Sequence, residues 1–85
     1  MAEYHVLLKR SAEKELKKLP DQLHDKIVAN LQDLKGNPRP PGVKKLSGRE
    51  GYRIRVGDYR VLFMIDDANK AVEVYAIRHR RDVYR

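Results

Sequence analysis

The stretch GYRIRVGDYRVLF, residues 51–63, decides the fold because two strand-like segments flank a two-residue turn. In the first segment, every second residue is apolar: Tyr52, Ile54 and Val56. Arg53 and Arg55 fall between them and are therefore expected on the other face of the strand. Gly57–Asp58 predicts a tight turn, although Asp-Gly is the more usual order for this signal. The stretch predicts a β-hairpin with one apolar and one basic face.

The neighbouring segments extend this hairpin into a sheet. YRVLFMI at residues 59–65 and AVEVYAI at 71–77 are both strand-like, and the polar turn DDANK separates them. Upstream, NPRPPG at 37–42 is a rigid connector, since its prolines remove backbone donors and exclude the helical region before each. An antiparallel β meander is therefore expected after the connector.

The first half of the chain predicts one strand and two helices. Residues 3–9 alternate, with one fully apolar side. Ser11 stands where a helix N-cap belongs, and apolar residues at helical spacing continue until Pro20. A longer apolar stripe runs from Asp21 to Gly36. The expected fold is α+β: a strand, a two-helix hairpin and a β meander in two layers, as a single domain spanning residues 1–85.

Charge and composition limit the classes of function that the chain could have. The net charge is +7, and residues 43–85 carry eleven Lys and Arg against six Asp and Glu. Eight of those eleven are arginines, whose planar fork suits phosphate, so nucleic acid is a plausible partner. The chain has no cysteine and only three scattered histidines, which argues against disulfides and zinc chemistry. No membrane span or signal peptide is recognisable, and a cytoplasmic protein is expected.

Four arginines from three predicted strands could converge on the sheet face that the helices leave free: Arg53, Arg55, Arg60 and Arg78. Charges at outward strand positions also block aggregation, so this pattern alone does not prove a site. The sequence carries no P-loop, nucleophile elbow, HExxH motif or paired carboxylates. What remains is phosphate chemistry without a metal or other cofactor, in which cations stabilise the transition state and RNA supplies its own 2′-hydroxyl nucleophile.

Three segments occur in this order along the chain: KKLSG, GYRIRVGDYRVLF and the terminal IRHRRDVY. Through these segments the chain resembles the RelE/ParE superfamily of type II toxins, most closely its RelE-like members. The resemblance covers almost the whole chain. It implies a toxin that enters the ribosomal A site and cuts mRNA there by 2′-hydroxyl attack on the scissile phosphate, without a metal. It also implies a cognate antitoxin, RelB-like or another small acidic protein, in a hetero-oligomeric complex, with the ribosome and mRNA as further partners and no membrane.

The resemblance also assigns roles to residues. Arg60 and Arg78 would contact the scissile phosphate and its transition-state charge, while Arg53 and Arg55 would hold the RNA backbone. Tyr84 or His79 would exchange a proton. The remaining basic residues would dock on RNA: Lys44, Lys45, Arg80, Arg81 and Arg85. The stretch IRHRRDVYR would thus form half of an active site.

Some features depart from the family pattern. Arg53 and Arg55 stand where RelE has lysines, which excludes a lysine base because arginine does not deprotonate in proteins. The C-terminal helix of some relatives is expected to be lacking. A related branch uses a glutamate and a histidine, but Glu50 lies in a different place, so that mechanism is not transferred. Two alternatives stay open: a ParE-like inhibitor of DNA gyrase without nuclease activity, and a degraded relative that only binds RNA or an antitoxin.

Overall fold

A five-stranded sheet with the strand order β1-β5-β4-β3-β2 organises the molecule. The computed structural model describes residues 3–48 and 50–83, excluding the side chains of residues 82 and 83. The elements are β1 (His5–Leu8), α1 (Arg10–Lys17), α2 (Asp21–Gly36), β2 (Lys44–Lys45), β3 (Tyr52–Val56), β4 (Tyr59–Asp66), β5 (Ala71–His79) and α3 (Arg80–Val83). Strands β2 to β5 pair antiparallel, which confirms the meander, and β1 pairs with β5 in parallel.

The hydrophobic core lies between the helices and one face of this sheet, which confirms the two-layer α+β fold. Helix α2 contributes Ile27, Leu31 and Leu34, all buried. They cluster with alternate sheet residues, among which Phe63 and Val74 are fully buried. Because strand side chains alternate between faces, the residues between these core positions lie on the opposite face, here called the outer face.

Helix α1 begins differently from the sequence prediction. It starts at Arg10, and its N-cap is Lys9, which has an extended backbone and no side-chain cap hydrogen bond. The Ser11 hydroxyl instead donates a hydrogen bond of 3.2 Å to the backbone oxygen of Tyr75. The expected Ser11 N-cap is therefore wrong, because that hydroxyl is used in a long-range contact with β5.

The hairpin between β3 and β4 turns at Gly57–Asp58, as predicted. Gly57 has a φ of 59°, and Asp58 is absent from the positive-φ residues of the described chain. A positive φ at the first central residue alone is the pattern of a type II′ turn, which places glycine first. The Gly-Asp order therefore matches the turn type, and the strands stay in register with Val56 opposite Tyr59.

A β-bulge interrupts the pairing of β4 with β5. The register shifts between Leu62, which pairs with Ala76, and Phe63, which pairs with Val74, so Tyr75 is an extra residue on β5. An extra residue reverses which positions face each side of a strand. Val74 faces the core before the bulge and Ile77 after it. Arg78 is thereby directed to the outer face.

After β5 the chain makes one short helical turn, α3. The backbone N–H of Arg80 donates a 2.7 Å hydrogen bond to the carbonyl oxygen of Asp58, and α3 contacts β4 and β5. The sequence analysis did not predict this helical turn at residues 80–83. Within the described ranges, none of the helices is long and apolar enough to cross a membrane.

Candidate functional site

Three arginines lie side by side on the outer face of the sheet. Arg60 on β4 is directly opposite Arg55 on β3 and Arg78 on β5. These three residues are called the arginine row. Directly opposite residues on neighbouring strands are close enough for their side chains to interact, and like charges in such pairs repel. The sheet therefore concentrates positive charge at one place.

Arg60, at the centre of the arginine row, is buried. Its relative exposure is 3%, and its Nε has no hydrogen-bond partner among the described residues. Arg55 and Arg78 on either side are exposed. A buried polar group without a partner costs free energy, and a buried charge without a partner costs more. The sequence pattern placed Arg60 in this group of arginines but did not predict its burial.

The rest of the basic surface continues from the arginine row toward β2. Arg53 lies opposite Leu62 on β4 and opposite Lys44 on β2. Lys45 pairs with Tyr52, one position along the strand. Both lysines are exposed and Arg53 is partly exposed. The structure thus brings Arg53 and Lys44 beside the arginine row and leaves Lys45 at the edge of the sheet.

Glu15 on α1 contacts Arg78, and sequence reasoning assigned it no role in the site. Its Oε2 lies 3.2 Å from Arg78 Nε. Its Oε1 accepts a 3.1 Å hydrogen bond from the backbone N–H of Ile77. The partners are more than sixty residues apart in the chain, so helical periodicity could not have indicated the contact.

His79 does not join the arginine row. It pairs with Tyr59, one position past Arg78, and therefore points to the opposite side of β5. Its ring packs edge-on against the Tyr59 ring, with centroids 5.3 Å apart. Its Nδ1 accepts a 3.3 Å hydrogen bond from the Arg81 backbone N–H. The structure separates His79 from the three arginines.

The basic tail is described only in part. Arg80 and Arg81 are exposed on α3. The bond from Arg80 to Asp58 holds the start of this helix against the β3–β4 turn, two residues from Arg60. Tyr84 and Arg85, which the sequence assigned to proton exchange and RNA docking, lie outside the described residues.

A second charged group lies around the β4–β5 turn and comprises Tyr4, Arg39, Tyr52, Asp67 and Lys70; it is called the Asp67 cluster. Arg39 donates to both Asp67 oxygens at 3.2 and 3.0 Å, and the Tyr4 hydroxyl donates to Asp67 at 2.6 Å. Arg39 also lies over the Tyr52 ring, 5.3 Å from its centroid. The connector proline loop is thereby tied to the sheet. Sequence reasoning did not identify this cluster.

The hydrogen bonds of the Asp67 cluster alter the ionisation of its members. The bond from Arg39, followed by that from Tyr4, lowers the pKa of Asp67 from 3.8 to about 2. The bonds to Asp67 and then to Tyr52 raise the pKa of Arg39 further above its ordinary value. Asn69 lowers the pKa of Asp66 through side-chain and backbone hydrogen bonds. Both carboxylates are solvent-exposed, so water screens these interactions.

The arrangement of the site suits an anion with several oxygens. Arginine guanidinium groups bind phosphate oxygens through paired N–H donors. Within the described ranges, no three or more His, Cys, Asp or Glu side chains form a group that could hold a metal ion. The chemical capacity of the described site therefore lies in positive charge and hydrogen-bond donors.

Comparison with known proteins identifies the family. The model of the family described as "ParE toxin of type II toxin-antitoxin system, parDE" matches residues 6–84. The chain is 34% identical to Toxin RelE of Mycobacterium tuberculosis over 84 residues, which covers 96% of this chain and 87% of that protein.

Solved structures agree with this assignment. The fold matches the archaeal RelE–RelB complex of Pyrococcus horikoshii with a TM-score of 0.83 and 28% identity, covering 94% of this chain and 97% of that one. The RelBE2 toxin–antitoxin complex of Mycobacterium tuberculosis matches with a TM-score of 0.78 and 31% identity, covering 91% and 98%. The family match, the close relative and the shared fold together show that this chain belongs to the RelE/ParE superfamily of type II toxins and is a RelE-like member of it.

Proposed function

We propose that this toxin is a ribosome-dependent endoribonuclease that cuts mRNA in the A site by 2′-hydroxyl attack on the scissile phosphate. The observation that carries the proposal is Arg60, which is buried at the centre of the arginine row and whose Nε has no hydrogen-bond partner among the described residues. An anionic ligand would compensate this cation. Burying the Arg60 cation without a ligand lowers the stability of the fold. Proteins retain such destabilising features mainly at functional sites.

The arginine row has a direct use in such a reaction. Attack by the 2′-oxygen forms a pentacovalent phosphorane that carries more negative charge than the phosphodiester. Cations fixed before the reaction stabilise that charge without reorganising at the transition state. Arg60 and Arg78, directly opposite each other, would contact the phosphoryl oxygens. Arg55 and Arg53 would hold the adjacent RNA backbone.

The reaction also requires two proton transfers. The 2′-oxygen loses a proton as it bonds to phosphorus, and the 5′-oxygen gains one as its bond to phosphorus breaks, leaving a 2′,3′-cyclic phosphate and a 5′-hydroxyl. We assign proton exchange to Tyr84, because its phenol can both donate and accept a proton. His79 is the second candidate and is less suitable, because it packs against Tyr59 on the other side of the sheet.

The exposed basic residues would provide RNA docking: Lys44, Lys45, Arg80, Arg81 and Arg85. Lys44 on β2 lies beside Arg53, Lys45 lies at the edge of the sheet, and Arg80 and Arg81 lie on α3; Arg85 lies outside the described residues. Contacts of this kind give a salt-dependent affinity that carries little sequence information. Ribosomal RNA and mRNA are the proposed partners, within the cytoplasm.

An antitoxin is the third proposed partner. The related RelE proteins of Pyrococcus horikoshii and Mycobacterium tuberculosis are solved as complexes with their antitoxins. We expect a RelB-like or other small acidic protein to form a hetero-oligomer with this chain. Its acidic segment would cover the basic outer face, since complementary charge steers such association.

Primer-extension mapping on a translated mRNA tests the proposed activity. The purified wild-type chain should cut within the A-site codon only when ribosomes are present. Arg60→Ala should abolish the cuts. Arg10→Ala is the matched control, because Arg10 is an exposed arginine on α1 and the substitution changes the net charge equally. A folded wild-type protein that produces no cuts would refute the proposal.

The family match supports a second candidate, a ParE-like inhibitor of DNA gyrase, because the matching family is described as a ParE toxin. This function needs binding but no proton-transfer group. A gyrase supercoiling assay with the wild-type chain distinguishes the two candidates. Inhibition of supercoiling together with absence of mRNA cleavage would establish the second function in place of the first.

A further inference from the structure

Beyond the arginine row, α1 contributes a carboxylate that contacts the site. We infer that Glu15 is a positioning residue that holds Arg78 in its working orientation, an inference that rests on the proposed nuclease function. The supporting contacts are the 3.2 Å approach of Glu15 Oε2 to Arg78 Nε and the 3.1 Å hydrogen bond from the Ile77 N–H to Glu15 Oε1.

Glu15 contacts the Nε side of the Arg78 guanidinium group. Glu15 engages Arg78 through Nε, and the two terminal nitrogens have no hydrogen bond or ion pair among the described residues, so they can bind phosphate oxygens. Arg78 is 48% exposed, and an arginine on the surface samples many rotamers unless a partner restricts it. The carboxylate supplies that restriction from a helix packed against the strand.

Electrostatics gives a second reason for a carboxylate at this position. Three guanidinium groups in register repel one another, which would drive the exposed arginines away from the buried one. Glu15 is 31% exposed and offsets part of this repulsion from the side of the row where Arg78 lies. It thereby favours the arrangement in which Arg78 and Arg60 stay adjacent.

The Glu15 side chain also accepts a hydrogen bond from the backbone at the unpaired edge of β5. Strand β1 pairs with β5 only from Ala71 to Val74, so the backbone beyond that point lacks a neighbouring strand on this side. Ser11 and Glu15, one helical turn apart on α1, bond to the Tyr75 carbonyl and the Ile77 N–H. Any test must therefore separate edge capping from the positioning of Arg78.

Glu15→Gln makes that separation. The amide oxygen can still accept from the Ile77 N–H, which preserves the edge bond and the melting temperature. The remaining NH₂ group is neutral and a donor, so the charge attraction between Glu15 and the Arg78 guanidinium is lost. We expect single-turnover cleavage to slow about 10- to 100-fold, because a misplaced catalytic group costs rates of this order. The half-saturating ribosome concentration should stay equal or fall, since a negative charge is removed.

A double-mutant cycle with Arg78→Ala provides the decisive comparison. Adding Glu15→Gln to Arg78→Ala should change the cleavage rate by less than about 2-fold, because coupled residues are not additive. Glu13→Gln is the control on the same helix, where Glu13 is 57% exposed and pairs with Lys17. The control should cleave at the wild-type rate.

Nuclear magnetic resonance adds a readout independent of activity: the Arg78 Nε–H signal should shift in Glu15→Gln, because the neighbouring carboxylate charge is removed. Equal slowing in both Arg78 backgrounds, wild-type cleavage by Glu15→Gln, or an unchanged Nε–H signal would each overturn the inference while the proposed function stands. A wild-type chain that cuts no mRNA would overturn both.

Discussion

Arg39 and Arg60 occupy opposite situations in this molecule. Arg39 is exposed to water, yet it makes two hydrogen bonds to Asp67 and lies over the Tyr52 ring. Arg60 is almost completely buried, yet its Nε has no partner among the described residues. A cation that serves the fold is paired even at the surface. A buried guanidinium whose Nε has no partner among the described residues is better explained by a ligand that arrives from outside.

The largest effect is expected from Arg60→Met, which replaces the buried cation with a shorter, unbranched apolar side chain. Cleavage should fall by about 10²- to 10³-fold or more, the order observed when one transition-state donor is removed. The free energy of unfolding should rise by about 1 kcal/mol or more, because the buried charge is eliminated. Primer extension and urea denaturation measure the two quantities. Loss of stability together with activity would show that Arg60 serves the fold, as Arg39 does.

The next effect concerns the two proton-transfer candidates. Tyr84→Phe should slow cleavage by about 10²-fold, since general acid–base groups contribute at least this order. His79→Ala should change the rate by only a few-fold, because His79 packs against Tyr59 on the side of the sheet away from the arginine row. Single-turnover cleavage rates decide between them. A larger effect at His79 would transfer the proton-exchange role to the imidazole.

Asp67→Asn should affect stability without affecting catalysis. The substitution removes the charge that pairs with Arg39 and weakens the bonds that hold the proline connector on the sheet. The melting temperature should fall by a few degrees, since exposed ion pairs contribute modestly. Cleavage measured well below the transition should match the wild-type rate. A slowed reaction in a fully folded variant would indicate that the Asp67 cluster also takes part in function.

The smallest effect concerns pH: the difference in melting temperature between the wild type and Asp67→Asn should depend on it. The pKa of Asp67 is lowered to about 2 in the folded chain, so its carboxylate stabilises the fold fully above its ordinary value of 3.8. That contribution is lost as the pH falls through about 2. Melting curves of the wild type and Asp67→Asn from pH 5 to pH 2 should therefore converge. A constant difference would show that ionisation of Asp67 does not contribute.

The sequence predicted those parts of the molecule that depend on local patterns. The alternation in GYRIRV placed Arg53 and Arg55 away from the core, and the Gly57–Asp58 turn brought Arg55 opposite Arg60. Long-range contacts were beyond such reasoning. The Ser11 hydroxyl resembles a helix cap until its partner on β5 is known, and the partners of Glu15 and Arg39 lie in segments distant along the chain. The parallel pairing of β1 with β5 likewise depends on packing.

The extra residue Tyr75 makes the length of β5 a determinant of the site. Two residues separate Tyr75 from Arg78, and the shift at Tyr75 places Arg78 beside Arg60. Loss of Tyr75 alone would restore regular alternation from Val74 and keep Arg78 opposite Arg60. Loss of two residues from this segment would give Arg78 the orientation that His79 has now, without altering any functional side chain. A surface loop commonly tolerates such a length change. In comparisons among relatives, a one-residue gap within this strand would therefore be compatible with the same arginine row. A two-residue gap would carry more functional meaning than most substitutions, because it exchanges which residues reach the outer face.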